Sequence, residues 1–106
     1  MHDLKWSDSE KKLARRVFQA AVFAELQATI ADFKHRAAAI SSPEEMWDLE
    51  DYLRRRRTDI DQKYDYRYSR LIFVFGQLLR EKRIRETDLA GLSDDKLEKI
   101  RRVASF

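Results

Sequence analysis

The 106-residue chain contains no cysteine, 2 glycines and 1 proline. Without cysteine there are no disulfides, no thiolate metal sites and no cysteine nucleophile. So few breakers, with 39% of residues charged and Ala, Leu, Glu, Lys and Arg abundant, favour helices over turns and strands. Charge of one sign is also scarce: 22 basic and 19 acidic residues are interspersed and leave a formal +3, a mixed surface that does not imply nucleic acid. The longest apolar run, Leu71 to Phe75, falls far short of the ~20 residues of a membrane-spanning helix. The opening MHDLKWSDSE lacks the apolar stretch of a signal peptide. A single all-α domain over 1–106, cytoplasmic and not inserted in a membrane, is the expectation.

Ser7 and Glu10 have the S-x-x-E spacing of a capping box, which places a helix start near Asp8. Ala14, Phe18, Val22, Leu26, Ile30, Phe33, Ala37 and Ile40 then recur every three or four residues without a breaker, predicting one helix to about Ala39. Beside them runs a second stripe of mostly small residues, Leu13, Val17, Ala20, Ala24, Ala28 and Ala31, which lets another helix approach closely. Such a helix is about 48 Å long, whereas a globule of this size is roughly 34 Å across. The overhang is most simply covered by a second copy of the chain. An elongated homodimeric bundle with a small C-terminal helical head is expected, with Val17, Ala24 and Ala28 in the subunit contact.

Ser42, Pro43 and Glu45 start a second helix by the same capping chemistry, with Met46, Leu49 and Leu53 as its apolar face. At Thr58 the helix either continues or is recapped with Asp61; the sequence leaves both open. LIFVF at 71–75 reads as strand by composition, but no turn residues flank it and helix-forming GQLLREKR follows. Asp59 to Lys82 is therefore read as one helix, whose lone Gly76 marks a close crossing. One helical turn near Asp88–Leu92 precedes a last helix capped by Ser93 and docked by Leu97, Ile100 and Val103.

Catalytic chemistry is not expected. His2 and His35 are the two histidines, neither with a carboxylate at metal-ligand spacing, and no Gly-rich phosphate loop or G-x-S-x-G occurs. No metal or other cofactor is implied. Asp61 and Asp65 are spaced for an acid–base pair, yet Lys63, Arg57 and Arg67 beside them favour ion pairing. The four arginines from Arg54 to Arg57 spread around a helix, and Glu50 and Asp61 sit where they neutralise Arg54 and Arg57. Trp47, Asp51, Arg57, Lys63, Tyr64, Asp65 and Arg67 combine aromatic and arginine groups of the kind concentrated at protein interfaces; packing residues with a solvated rim are the equal alternative.

The block WDLEDYLRRRRTDIDQKYDYRYSRLIFVF from Trp47 to Phe75, with WS at Trp6, F-x-x-A-x-x-x-E-L from Phe18 to Leu26 and DKLEKI at 95–100, resembles the fluorescence recovery protein family of cyanobacteria and its relatives. The resemblance spans nearly the whole chain and is most specific at IDQKYDYR. It implies an all-helical homodimer that is not an enzyme. Such a protein binds the C-terminal domain of the photoactivated orange carotenoid protein, speeds its red-to-orange return and ends quenching of the phycobilisome, at the cytoplasmic face of thylakoids. It also implies a partner-binding patch at Trp47, Glu50, Asp51 and Arg57, with Phe73 and Lys99, and a dimer contact at Met46. Two positions depart from the family pattern. Glu50 stands where His is usual, turning a donor into a charged acceptor, and Lys82 stands where glycine is usual after L-L-x-E. A same-fold adaptor for a different protein is the alternative.

Overall fold

A computed structural model describes residues 4–106; His2 lies outside the described residues. The order is α1 (Asp8–Ala38), α2 (Pro43–Lys63), α3 (Leu71–Arg80), a 3₁₀ turn (Glu86–Leu89) and α4 (Asp94–Ala104). Among the described residues there is no strand, only an isolated bridge between Ala90 and Leu92. The chain forms two compact units. One joins the described residues through Val22 to Tyr64–Phe106, and the other is Phe23–Lys63.

In the first unit α1 starts as its sequence predicts. Glu10 N–H donates to Ser7 Oγ (3.2 Å) and Ser7 N–H to Glu10 Oε1 (3.0 Å), satisfying two groups that a helix start leaves open. The second Glu10 oxygen accepts Ser93 N–H (2.9 Å) at the entry to α4, where Ser93 Oγ in turn accepts Lys96 N–H (3.3 Å). Buried Lys96 donates to Glu10 Oε1 (3.2 Å) and to the Lys5 carbonyl (2.6 Å). Burial pushes the Glu10 carboxyl up, but the Ser7 and Ser93 amides and Lys96 outweigh it, so the group ends below the usual glutamate range.

Helix α3 fills the core of this unit, burying Leu71, Ile72, Val74, Phe75 and Leu78. Its Gly76 allows α4 to cross closely: a Cβ there would lie 2.4 Å from Val103 Cγ1 and 3.2 Å from the Ile100 carbonyl. The helix ends in a Schellman motif. Arg83 N–H donates to Leu78 O (2.9 Å) and Lys82 N–H to Leu79 O (3.0 Å), which forces Lys82 to a φ of 60°, a conformation suited to glycine.

The reading of Asp59 to Lys82 as one helix is corrected. Helix α2 runs unbroken through Thr58, whose Oγ1 bonds Arg54 O (3.1 Å), but it stops at Lys63, and α3 starts only at Leu71. Between them Tyr64, Tyr66 and Tyr68 alternate with Asp65 and Arg67, a period-2 pattern that belongs to extended chain. Phe18 packs nearly perpendicular to Tyr64 and Tyr66 at centroid distances of 5.5 and 4.8 Å, and Tyr68 sits 5.8 Å from both Tyr66 and Trp6. A helix would turn adjacent members of this series about 200° apart, so helical continuation would forfeit this packed aromatic ladder.

The second unit is a helical hairpin, α1 from Phe23 onward against α2. Leu49 and Ile60 are buried, but most of the groups that join the two helices are polar. Glu25, 0% exposed, accepts Lys63 Nζ on both oxygens (2.7 and 2.9 Å) and Arg56 Nη2 on one (3.0 Å). One and two turns further on, Thr29 Oγ1 meets Arg56 (3.3 Å), and Asp32 accepts the Tyr52 hydroxyl and Arg36 Nε (2.9 Å). The hydroxyl bond to Asp32 raises the Tyr52 pKa and lowers that of Asp32. The apolar face predicted for α2 is thus partly corrected: Leu49 is buried and Leu53 half-buried, whereas Met46 is exposed.

Candidate functional site

With Leu49, Tyr52, Arg56 and Ile60 turned toward α1, the 100° advance per residue puts Trp47, Glu50, Asp51, Arg54, Arg57 and Asp61 on the opposite side of α2, and all six are exposed. Trp47 is 58% exposed, unusual for so large an apolar ring. Charges surround it in pairs. Arg54 Nη2 donates to Glu50 Oε1 (2.7 Å), with Nη1 3.8 Å from Asp51, and Arg57 Nε lies 3.8 Å from Asp61. The arginine run is dispersed as expected: Arg54 and Arg57 join this face, while Arg56 turns inward to Glu25, which raises its pKa further.

Asp61 and Asp65 do not converge. Asp61 is on α2, whereas Asp65 follows its end and is chelated by Arg67 (2.9 and 3.1 Å from Nε), a bond that lowers the Asp65 pKa. A cleft of about 210 Å³ at the closed end of the hairpin is lined by Arg36, Ile40, Glu45, Asp48, Leu49 and Tyr52. Its charged groups are largely engaged, Arg36 and Tyr52 by Asp32 and Glu45 by the hydroxyls of Ser41 (2.9 Å) and Ser42 (3.0 Å). Exposed ion pairs around an aromatic ring have the composition that protein interfaces concentrate.

Residues 6–104 match the family described as photoprotection regulator fluorescence recovery protein. The chain belongs to this family. It is 38% identical over 99 residues to the fluorescence recovery protein of a Synechocystis strain, covering 93% of this chain and 91% of that protein. The solved Fremyella diplosiphon fluorescence recovery protein matches with a TM-score of 0.92 at 40% identity, over 96% of this chain and 100% of the other. The Synechocystis structure gives the same score at 37% identity and the same coverage.

Within this fluorescence recovery protein fold the expected site residues separate. Trp47, Glu50, Asp51 and Arg57 share one face of the hairpin unit. Phe73 and Lys99 belong to the other unit, Phe73 on α3 beneath the Arg70 guanidinium (4.8 Å to the ring centre) and Lys99 on α4 bonded to Asp95 (2.8 Å). Among the expected dimer positions, Val17 is buried in the core of its own chain. Ala24, Ala28 and Met46 are exposed. Beside them lies a larger apolar stripe, in which Leu26 and Ile30 belong to the predicted helical series and Phe23 is added by the structure. Phe23, Leu26 and Ile30 are 65%, 43% and 46% exposed, at i, i+3, i+7 spacing on one flank of α1, because the flank facing α2 is the one carrying Glu25, Thr29 and Asp32.

Proposed function

We propose that the protein is a non-catalytic homodimeric regulator that binds the C-terminal domain of the photoactivated orange carotenoid protein, speeds its return from red to orange and thereby ends phycobilisome quenching. The observation that carries this reading is the half-exposed Trp47 ring set among Glu50, Asp51 and Arg57 in a member of a photoprotection-regulator family. A binding protein accelerates such a relaxation by holding the re-closing state more tightly than the open one and leaves when the closed state binds it less well. Phe73 and Lys99 are proposed as further contacts. A second copy covers Phe23, Leu26 and Ile30 with Met46, and the small Ala24 and Ala28 mark a flank where a second helix approaches closely. The protein acts in the cytoplasm, at the thylakoid face where the antenna lies.

Glu50 favours one second reading, a regulator of the same fold whose partner presents a cation opposite this carboxylate. Mixing the protein with photoactivated orange carotenoid protein and following the red-to-orange decay separates the two. Acceleration that Trp47→Ala abolishes, with the helical signal and urea midpoint unchanged, supports the first. No acceleration from an intact dimer refutes it.

A further inference from the structure

On the solvent side of α1 in the first unit, Lys11, Lys12, Arg15 and Arg16 are all exposed, and none forms an ion pair among the described residues. Several exposed cations elsewhere pair with a carboxylate one turn away: Arg36 with Asp32, Arg54 with Glu50, Lys99 with Asp95, Arg102 with Glu98. Here Asp8 stands one turn before Lys12 but forms no ion pair among the described residues, and the remaining charged one-turn neighbours are basic, Lys11 with Arg15 and Lys12 with Arg16. Like charges at this spacing destabilise a helix, and the early turns of a helix favour acids. Local preferences are violated most often at functional sites.

Aromatic rings hold two of the four in place of carboxylates. Arg15 lies 4.5 Å over Tyr66 and Lys11 5.3 Å over Tyr68, which orders the cations without neutralising them. We infer that this face is a docking surface for an acidic helix of a protein partner, whose carboxylates at i, i+4 spacing match the rows Lys11–Arg15 and Lys12–Arg16. The occupant follows from charge complementarity and from what the surroundings withhold. Single-stranded nucleic acid binds by stacking bases on aromatic faces, but Arg15 and Lys11 already cover Tyr66 and Tyr68. A lipid surface takes up the apolar side of a basic helix, but on this segment Leu13, Ala14, Val17 and Ala21 are buried in the core. This docking does not rest on the carotenoid-protein reading.

The test uses the full chain and a fluorescein-labelled alanine-based helical peptide carrying Glu at i, i+4 spacing, followed by anisotropy at about 50 and 200 mM salt, across which the screening length shortens. Binding weakened at the higher salt, at least ten-fold weaker in Lys12→Glu/Arg16→Glu but retained in the exposed-cation control Lys34→Glu/Arg55→Glu, is expected. The Lys12→Glu/Arg16→Glu variant exchanges one like-charge pair for another and places acids in the early turns, where the helix dipole favours them, so it should melt close to the parent; a purely structural role would lower its melting temperature. Should that variant fail to fold, Lys12→Gln/Arg16→Gln makes the same comparison. Absence of peptide binding, equal loss in the control, or tighter binding to a single-stranded oligonucleotide or to phosphatidylglycerol vesicles would overturn the proposal.

Discussion

Replacing Glu25 by alanine should be the most damaging single change in the hairpin unit. The carboxylate is fully buried, and the side chains of its two cations, Lys63 and Arg56, are 10% and 26% exposed. Truncation strips Lys63 of contacts at 2.7 and 2.9 Å and Arg56 of one at 3.0 Å. Removing one partner from a buried ion pair costs about 3–5 kcal/mol. Arg56 retains Thr29 Oγ1 at 3.3 Å and enough exposure to extend its guanidinium into water, which places the cost near the lower end. Alanine returns a few tenths of a kcal/mol in helix propensity, leaving a loss of about 3 kcal/mol. With a urea slope of roughly 1–3 kcal/mol/M, the denaturation midpoint followed by circular dichroism should fall by about 1–3 M. A loss below about 1 kcal/mol would refute the view that this buried carboxylate holds α1 against α2. Glu25→Met combined with Lys63→Met should recover most of the loss, because the penalty comes from the stranded charge rather than from the vacated space.

The Glu10 carboxyl titrates below its ordinary value in the folded chain, so its contribution is present above pH ~4.3 and is lost as pH falls through the folded value. Glu10→Gln should consequently lower the melting temperature most at neutral pH, with the gap from the parent narrowing below about pH 4; a gap independent of pH would count against it. Lys82→Gly relieves the left-handed backbone at a φ of 60° and should stabilise by roughly 0.5–1 kcal/mol, read as a melting temperature higher by about 3–6 °C. No rise would mean that the lysine bears no strain there. Met46→Glu should shift sedimentation at micromolar concentration from dimer to monomer if Met46 lies in the subunit contact, whereas an unchanged mass would exclude it.

Local chemistry was legible wherever one short pattern had one physical outcome. Ser7 with Glu10, Ser42 with Pro43, Ser93, and the lone Gly76 each appear in their expected roles. The break after Lys63 was also written in the sequence, as Tyr64, Tyr66 and Tyr68 at spacing two. It was overridden by a longer 3–4 spacing, since Tyr64 and Tyr68 satisfy both periods and Leu71 and Phe75 continue the helical one, until Phe18 and Trp6 are known to be the rings that receive the tyrosines. Glu25 was invisible for a different reason. A single acid in a helix carries no sign of burial, and its partners Arg56 and Lys63 are 31 and 38 residues away in the chain. Around Trp47 the ion pairs of Arg54 and Arg57 were readable because their acids lie within one turn, whereas the residues left Trp47 itself open between interface and packing until its exposure was seen.

The carboxylate of Glu10 has a consequence for the order in which a nascent chain can acquire structure. One of its oxygens is claimed three residues away, but the other waits for an amide 83 residues later. The hairpin from Phe23 to Lys63 is contiguous in sequence and can assemble while translation continues, since domains form as their residues emerge. The turn at Glu10, although made before the hairpin, cannot complete its own hydrogen bonding until Ser93 has left the ribosome. The start of α1 is therefore finished after the hairpin that follows it in sequence.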